Sequence, residues 1–180
     1  LTLNPSVDQA LNVSTGSIYK GGTLFIHTKG GGNNTALGQE ALASVTTGFR
    51  NTATGYAALR SNTTAIENTA IGMHALSSNT IGENNTASGY VALSSNTTGN
   101  NNTASGNRAL LFNTTGNDNT AIGYRALFSN TSGVRNIAVG RYAGQSLTTG
   151  NYNIAIGNTG VAAEANTIRI GTSGAQTRAF

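Results

Sequence analysis

The hydrophobic and polar positions of this chain recur with a single period over most of its length. The pentad Asn-Thr-Ala-x-Gly, or a close variant, returns every 17 residues without an insertion. It begins at Asn34, Asn51, Asn68, Asn85, Asn102, Asn119, Asn136 and Asn153. A constant period of this length predicts a solenoid whose repeats are stacked turns, because an insertion would shift every column of equivalent residues.

Each repeat predicts a short strand followed by a turn. The pentad is the strand, since it is rich in Thr and β-branched residues and ends at Gly. An Ala-Leu pair follows each pentad as far as Ala126-Leu127, and we expect both residues to face inward. The segment 124–130 is alternatively a single helical turn that stops at Asn130. The predicted fold is therefore mainly β: a parallel β-solenoid, or β-roll, of 17-residue coils, each a short strand plus a turn or a single helical turn.

The two ends depart from the repeat and suggest three segments. Residues 1–33 are predicted to form an N-terminal β cap, with strands at Ala10–Val13 and Thr23–His27. Residues 34–165 form the repeat solenoid. Residues 166–180 form a terminal strand or a junction to a further module, in which Asn166–Gly171 is a lengthened pentad.

The composition agrees with a stacked, backbone-rich structure. Hydrophobic residues make up 37% of the chain and charged residues only 9%, whereas disordered chains combine low hydrophobicity with high net charge. Gly, Asn and Thr dominate instead, and they supply tight turns and hydrogen-bonded ladders. Because the core is narrow, we expect the small Ala and Gly side of the strand to be covered by another copy of the chain.

Several classes of function lack the residues that they need. The ten basic and six acidic residues give a net charge of +4 without a Lys/Arg cluster, so no nucleic-acid partner is predicted. The chain has no Cys and two His, His27 and His74, with Glu67 and Glu83 nearest to the latter. We therefore predict no catalytic residue, no metal site and no cofactor. No apolar run approaches the ~20 residues of a membrane span, so direct membrane insertion of this stretch is not expected.

The residue after the pentad glycine offers the best candidate for a binding surface. Tyr56, Tyr90 and Tyr124 occupy this column at alternate turns, with Arg108 and Arg125 beside it. Such a row could stack sugar rings, since Tyr is common in recognition surfaces. Alternatively, these tyrosines pack between subunits with their hydroxyls in water.

A file of six threonines is the second candidate surface. Its members are Thr35, Thr52, Thr69, Thr86, Thr103 and Thr120. A regular Thr array on a flat solenoid could order water and bind ice. Simple strand hydrogen bonding is the alternative interpretation.

The repeats resemble those of a known class of fibrous proteins. The pentads Asn68–Gly72 and Asn119–Gly123, with the Ala-Leu and Asn-Thr-Thr-Gly segments that follow, resemble the head repeats of trimeric autotransporter adhesins. They are also similar to repeats of tail-fibre-like trimeric surface proteins of bacteria and phages. The resemblance covers about residues 33–171, although the 17-residue coil is longer than that of the autotransporter head. It implies a homotrimer at the cell surface, outside the cell or in a phage virion fibre.

The residues and the resemblance together predict a non-catalytic adhesive or structural head or shaft module. Such a module would bind a host, prey or matrix surface multivalently, through a surface glycan or a protein receptor. One alternative is a pure spacer in a phage-type tail fibre. Another is a monomeric solenoid that binds ice or glycan.

Overall fold

The computed structural model describes residues 17–20, 23–27 and 30–172, which form a β-solenoid of about eight turns. Eleven strands make one sheet in chain order, and β3 to β11 are all parallel. The strands are β1 Ser17–Lys20, β2 Thr23–His27, β3 Thr35–Leu37, β4 Thr52–Thr54, β5 Thr69–Ile71, β6 Thr86–Ser88, β7 Thr103–Ser105, β8 Thr120–Ile122, β9 Ile137–Val139, β10 Ile154–Ile156 and β11 Ile168–Ile170. The predicted parallel β-solenoid is thus confirmed.

An antiparallel hairpin covers the first edge of the parallel sheet. β1 pairs with β2, and β2 pairs with β3 through Ile26 opposite Leu37 and His27 opposite Ala36. The predicted strand Thr23–His27 is confirmed, whereas the predicted strand Ala10–Val13 lies outside the described residues. Pairing of this kind protects an edge that would otherwise present unpaired N–H and C=O groups.

The core is a narrow stack of small and medium side chains inside the coil. Each strand from β3 to β10 buries its central alanine, and the Ala-Leu pair that follows β3 to β8 is buried as predicted. The buried leucines are Leu42, Leu59, Leu76, Leu93, Leu110 and Leu127. The expectation that the alanine side of the strand meets another copy is wrong. The alanines face the interior of their own coil, and the outward columns carry Thr and the residue before the pentad glycine.

The helical alternative for residues 124–130 is also wrong, and no helix occurs in the described ranges. Arg125 and Leu127 have φ angles of 55° and 50°, whereas an α-helix needs a negative φ at every residue. Their N–H groups bond between turns, from Arg125 to the carbonyl of Asn107 and from Leu127 to that of Ala143. The described part accordingly holds no helix long and apolar enough to cross a membrane.

The first of two buried asparagine ladders consists of the pentad asparagines. The Nδ2 of Asn102 donates to the Oδ1 of Asn85 at 3.1 Å and to the carbonyl of Gly116 at 2.8 Å. The Oδ1 of Asn102 accepts from both the backbone N–H and the Nδ2 of Asn119, at 3.0 and 3.1 Å. The ladder thereby ties each turn to the turns before and after it.

The second ladder consists of the asparagines that close the Ala-Leu segment. Its members are Asn62, Asn79, Asn96, Asn113 and Asn130, all fully buried. The Nδ2 of Asn113 donates to the Oδ1 of Asn96 at 2.9 Å and to the carbonyl of Gly116 at 3.0 Å. Gly116 therefore accepts from both ladders, and the carbonyls of Ala65, Gly82, Gly99 and Gly133 do the same in their turns.

Apolar residues end the second ladder on both sides. Val45 takes the asparagine place in the first turn and Leu147 in the seventh, so the Oδ1 of Asn130 has no hydrogen-bond partner. In the seventh turn Gly144 occupies the position at which the six preceding turns have the buried Leu. A Cβ at Gly144 would lie 2.9 Å from the Cδ2 of Leu127 and 3.2 Å from the Cδ1 of Leu147, so these two leucines occupy the space that a larger side chain would need.

The last strand takes five of the six residues of the lengthened pentad Asn166–Gly171 into the register of the array. β11 pairs with β10 through Ile168 opposite Ile154, which places Thr167 rather than Asn166 at the head of the pentad. The N–H of Thr167 donates to the Oδ1 of Asn153 at 3.1 Å, as a pentad asparagine would. Asn166 has a φ of 55° and matches the residue before each pentad, such as Tyr152.

Replacement of Gly89 by Ala is expected to destabilise the solenoid by about 2–4 kcal/mol. Gly89 has a φ of +142°, and a Cβ there would lie 2.5 Å from the carbonyl oxygen of Gly106 in the next turn. Gly157→Ala is the matched control in the same column, because φ is +59° and no atom lies within 4 Å. Urea unfolding, monitored by circular dichroism, measures the unfolding free energy of both variants. Equal losses would contradict the close packing of successive turns.

Replacement of Asn102 by Ala is expected to cost about 2–4 kcal/mol of unfolding free energy, because buried donors and acceptors lose their partners. Asn107→Ala is the control, since Asn107 is exposed. Unfolding of both variants in urea provides the comparison. A loss below about 0.5 kcal/mol for Asn102→Ala, the range of ordinary surface changes, would show that the ladder contributes little.

Candidate functional site

Two neighbouring columns of side chains leave the coil just after the pentad glycine. The tyrosine column is the residue after that glycine, and the arginine column is the next residue. The arginine-column N–H donates to the tyrosine-column carbonyl of the previous turn, for example from Arg125 to Asn107 at 3.0 Å and from Tyr142 to Tyr124 at 2.9 Å. This ladder fixes the side chains at the spacing of parallel strands, about 4.8 Å per turn.

The structure brings together only part of the predicted binding row. Tyr56 and Tyr90 are 41% and 43% exposed, and Tyr124 is half-buried. The Cζ of Arg125 lies 5.5 Å from the centre of the Tyr124 ring, and Arg108 occupies the same column one turn earlier. Tyr56 lies four turns from Tyr124.

The structure adds three residues to this surface: Arg141, which lies in the tyrosine column but was not predicted to bind, and Phe128 and Tyr142, which the sequence interpretation missed. The Cζ of Arg125 lies 4.9 Å from the ring centre of Phe128. The Cζ of Arg141 lies 4.4 Å from the ring centre of Tyr142 and 5.8 Å from that of Tyr124. The Tyr124 and Tyr142 rings meet edge to face, with centres 5.3 Å apart and an interplanar angle of 74°. We name the arginine–aromatic face by its six residues, Arg108, Tyr124, Arg125, Phe128, Arg141 and Tyr142.

The arginines of this face differ from the other arginines of the described residues in their charge environment. Elsewhere, arginine is paired with a carboxylate: Arg50 with Glu67, Arg60 with Glu40, Arg135 with Asp118 and Arg169 with Glu164, at 2.8–3.6 Å. Within the described residues, Arg108, Arg125 and Arg141 form no ion pair. The Nε of Arg125 is buried without a hydrogen-bond partner there. The face therefore carries positive charge that no described carboxylate offsets.

The outer side of the sheet carries a different chemistry. The predicted Thr file lies there, but the second outward column mixes Leu37, Thr54, Ile71 and Ser88 in its first strands. Towards the last strands both columns become apolar. We name the isoleucine face by its residues, Ile137, Val139, Ile154, Ile156, Ile168 and Ile170. Ile168 and Ile170 are 67% and 73% exposed, and contiguous exposed apolar side chains mark interaction sites.

The histidines and acids considered for catalysis do not come together in the described part. The ring of His74 packs edge to face on Tyr56, with centres 5.2 Å apart, and Glu67 pairs with Arg50. Among the described residues, no group of three or more His, Cys, Asp or Glu side chains could hold a metal ion. The side chain of His27 lies outside that part.

Comparison with known proteins does not indicate a function, so the function has to be argued from the geometry of the chain. No protein-family model matches the chain, and neither does any curated protein or solved structure. The resemblance to trimeric adhesin repeats therefore stays a prediction. The arginine–aromatic face and the isoleucine face are the features from which a function can be argued.

Proposed function

We propose that this chain is a non-catalytic adhesive module of a homotrimeric fibre, displayed outside the cell, at the cell surface or on a phage virion. The arginine–aromatic face is the observation that carries this proposal. It holds three arginines without a described carboxylate partner, two of which, Arg125 and Arg141, pack against aromatic rings. A pure spacer has no need of such a surface.

The isoleucine face supports association between copies of the chain. It is apolar and exposed, and a repeat array gains stability when such a face is covered. The residues of the isoleucine face precede the pentad glycine in the chain, whereas those of the arginine–aromatic face follow it. The pentad glycines have strongly positive φ angles, such as +130° at Gly123, which turn the chain between the two faces. Copies can thus pack through one face and leave the other accessible.

Three copies would bind through avidity. We take the number three from the trimeric fibre proteins whose repeats this sequence resembles. Identical faces on one rigid assembly make the second and third contacts intramolecular, so weak single sites yield strong attachment. Ice binding by a monomer is less well supported, because the column beside the Thr file is not uniform.

Light scattering is expected to give about three times the 18.3 kDa chain mass. Replacement of Ile156 and Ile170 by Lys should reduce that mass to one chain, because charge would be buried in the apolar contact. Thr115→Lys is the control, since Thr115 is exposed outside the sheet. A monomeric native chain would contradict the trimer and leave a self-sufficient solenoid.

The double variant Tyr90→Ala/Tyr124→Ala is expected to lose attachment to cell and matrix surfaces by at least about tenfold, since aromatic anchors dominate recognition. Tyr152→Ala is the control, because Tyr152 is also an exposed tyrosine, at 50%, but lies in another column. Binding of the fluorescently labelled protein to whole cells measures attachment, and light scattering verifies an unchanged mass. Unaltered attachment would remove the tyrosine column from the site.

A further inference from the structure

We infer that the arginine–aromatic face binds an anionic polysaccharide that carries carboxylate or sulfate groups. Sugar rings would lie against Tyr124, Phe128 and Tyr142, and the anionic groups would meet Arg108, Arg125 and Arg141. This inference rests on the proposed adhesive function and names the ligand class of its site.

The first argument is the preorganisation of the charges. The guanidinium of Arg125 packs on two rings, those of Tyr124 and Phe128, and that of Arg141 packs on Tyr124 and Tyr142. Ring packing restrains a guanidinium without neutralising it, unlike a carboxylate. Less side-chain freedom is then lost when an anion binds, which favours affinity.

The second argument is the segregation of charge around the coil. The acids Glu40, Glu67, Asp118 and Glu164 pair with other arginines. The stretches 107–112, 124–129 and 141–146, which build this side of the three turns, contain no Asp or Glu. A ligand with negative groups that lies along these stretches therefore meets no acidic side chain from them.

The third argument is the linear arrangement of the cations. Arg108 and Arg125 share one column in successive turns, and Arg141 stands in the adjacent column of the next turn. At about 4.8 Å per turn, the three cations follow the coil axis over about 10 Å. A linear polymer with regularly spaced anionic groups fits this row better than a single small ion does.

The aromatic rings favour a sugar polymer over a nucleic acid. Single-stranded nucleic acids bind in basic grooves that follow the backbone over about 4–16 nucleotides. Here the flanking turns carry Tyr90-Val91 and Asn158-Thr159 in the same columns, so the charge ends after three turns. The rings of Tyr124 and Tyr142 are half-buried and locked edge to face, which leaves narrow apolar platforms suited to the C–H faces of sugars.

Four hexameric probes test the ligand class by calorimetric titration of the native protein: a sulfated heparin hexasaccharide, a hexuronate, neutral maltohexaose and single-stranded hexathymidylate. We expect at least one acidic sugar to bind at least about tenfold more tightly than both maltohexaose and hexathymidylate, a difference that three charge-assisted contacts readily supply. Its affinity should fall as sodium chloride rises. Equal binding of maltohexaose, or tighter binding of hexathymidylate, would overturn the inference.

Variants that remove equal charge test where on the protein the acidic sugar binds. Arg108→Gln/Arg125→Gln should weaken acidic-sugar binding by about tenfold or more, whereas the control Arg50→Gln/Arg135→Gln, which removes the same charge, should change it less than about threefold. Arg141→Gln, at an exposed position, gives a second reading if the first variant unfolds. Equal losses in both double variants would show non-specific attraction and overturn the site. If cell attachment depends on the tyrosines but the native protein binds no acidic sugar, this inference alone is overturned. If the native protein shows neither acidic-sugar binding nor tyrosine-dependent cell attachment, the proposed function is overturned as well.

Discussion

The buried carbonyl of the turn glycine is the constraint on which the rest of the structure depends. In the turn of Gly116 this oxygen accepts from Asn102 of one ladder and from Asn113 of the other. A buried amide that loses its partner costs about 1–3 kcal/mol, so a turn that carries both asparagines must place both of them and the accepting carbonyl correctly. A turn with one residue more or fewer would break both ladders at once. This explains why the repeat tolerates no insertion between Asn34 and Asn153.

Fixed register inside the coil leaves the outward positions free to vary. The tyrosine and arginine columns read Tyr-Ala in the second turn, Met-His in the third and Tyr-Arg in the sixth, on the same hydrogen-bonded backbone. A surface can therefore be composed turn by turn without repacking the core, since each repeat contacts only its neighbours. The arginine–aromatic face occupies three such turns, and its exact spacing comes from the ladders rather than from the side chains that form it.

Periodicity alone predicts the columns, the inward Ala-Leu pair and the stacking, because a strict period can be satisfied only by equivalent turns. It does not predict the backbone between them. Leu127 adopts a positive φ, which is rare for Leu, so local propensity favours a helical turn that the structure lacks. A three-residue strand does not reveal which of its sides is buried, so the sequence does not show that the alanines face the interior of their own coil. Arg141 lies in the tyrosine column and Tyr142 in the arginine column, so neither column alone reveals that the two side chains pack together.

Exchange of the asparagine side-chain amides with deuterated solvent tests the dependence on the ladders most directly. In ¹⁵N-labelled protein, the Nδ2 protons of Asn102 and Asn113 should exchange only with opening of the coil, as slowly as the most protected backbone amides. The Nδ2 protons of exposed Asn107 should exchange at the rate of an unstructured peptide. Exchange at Asn102 and Asn113 as fast as at Asn107 would contradict the account, because the ladders would then not hold the turns together.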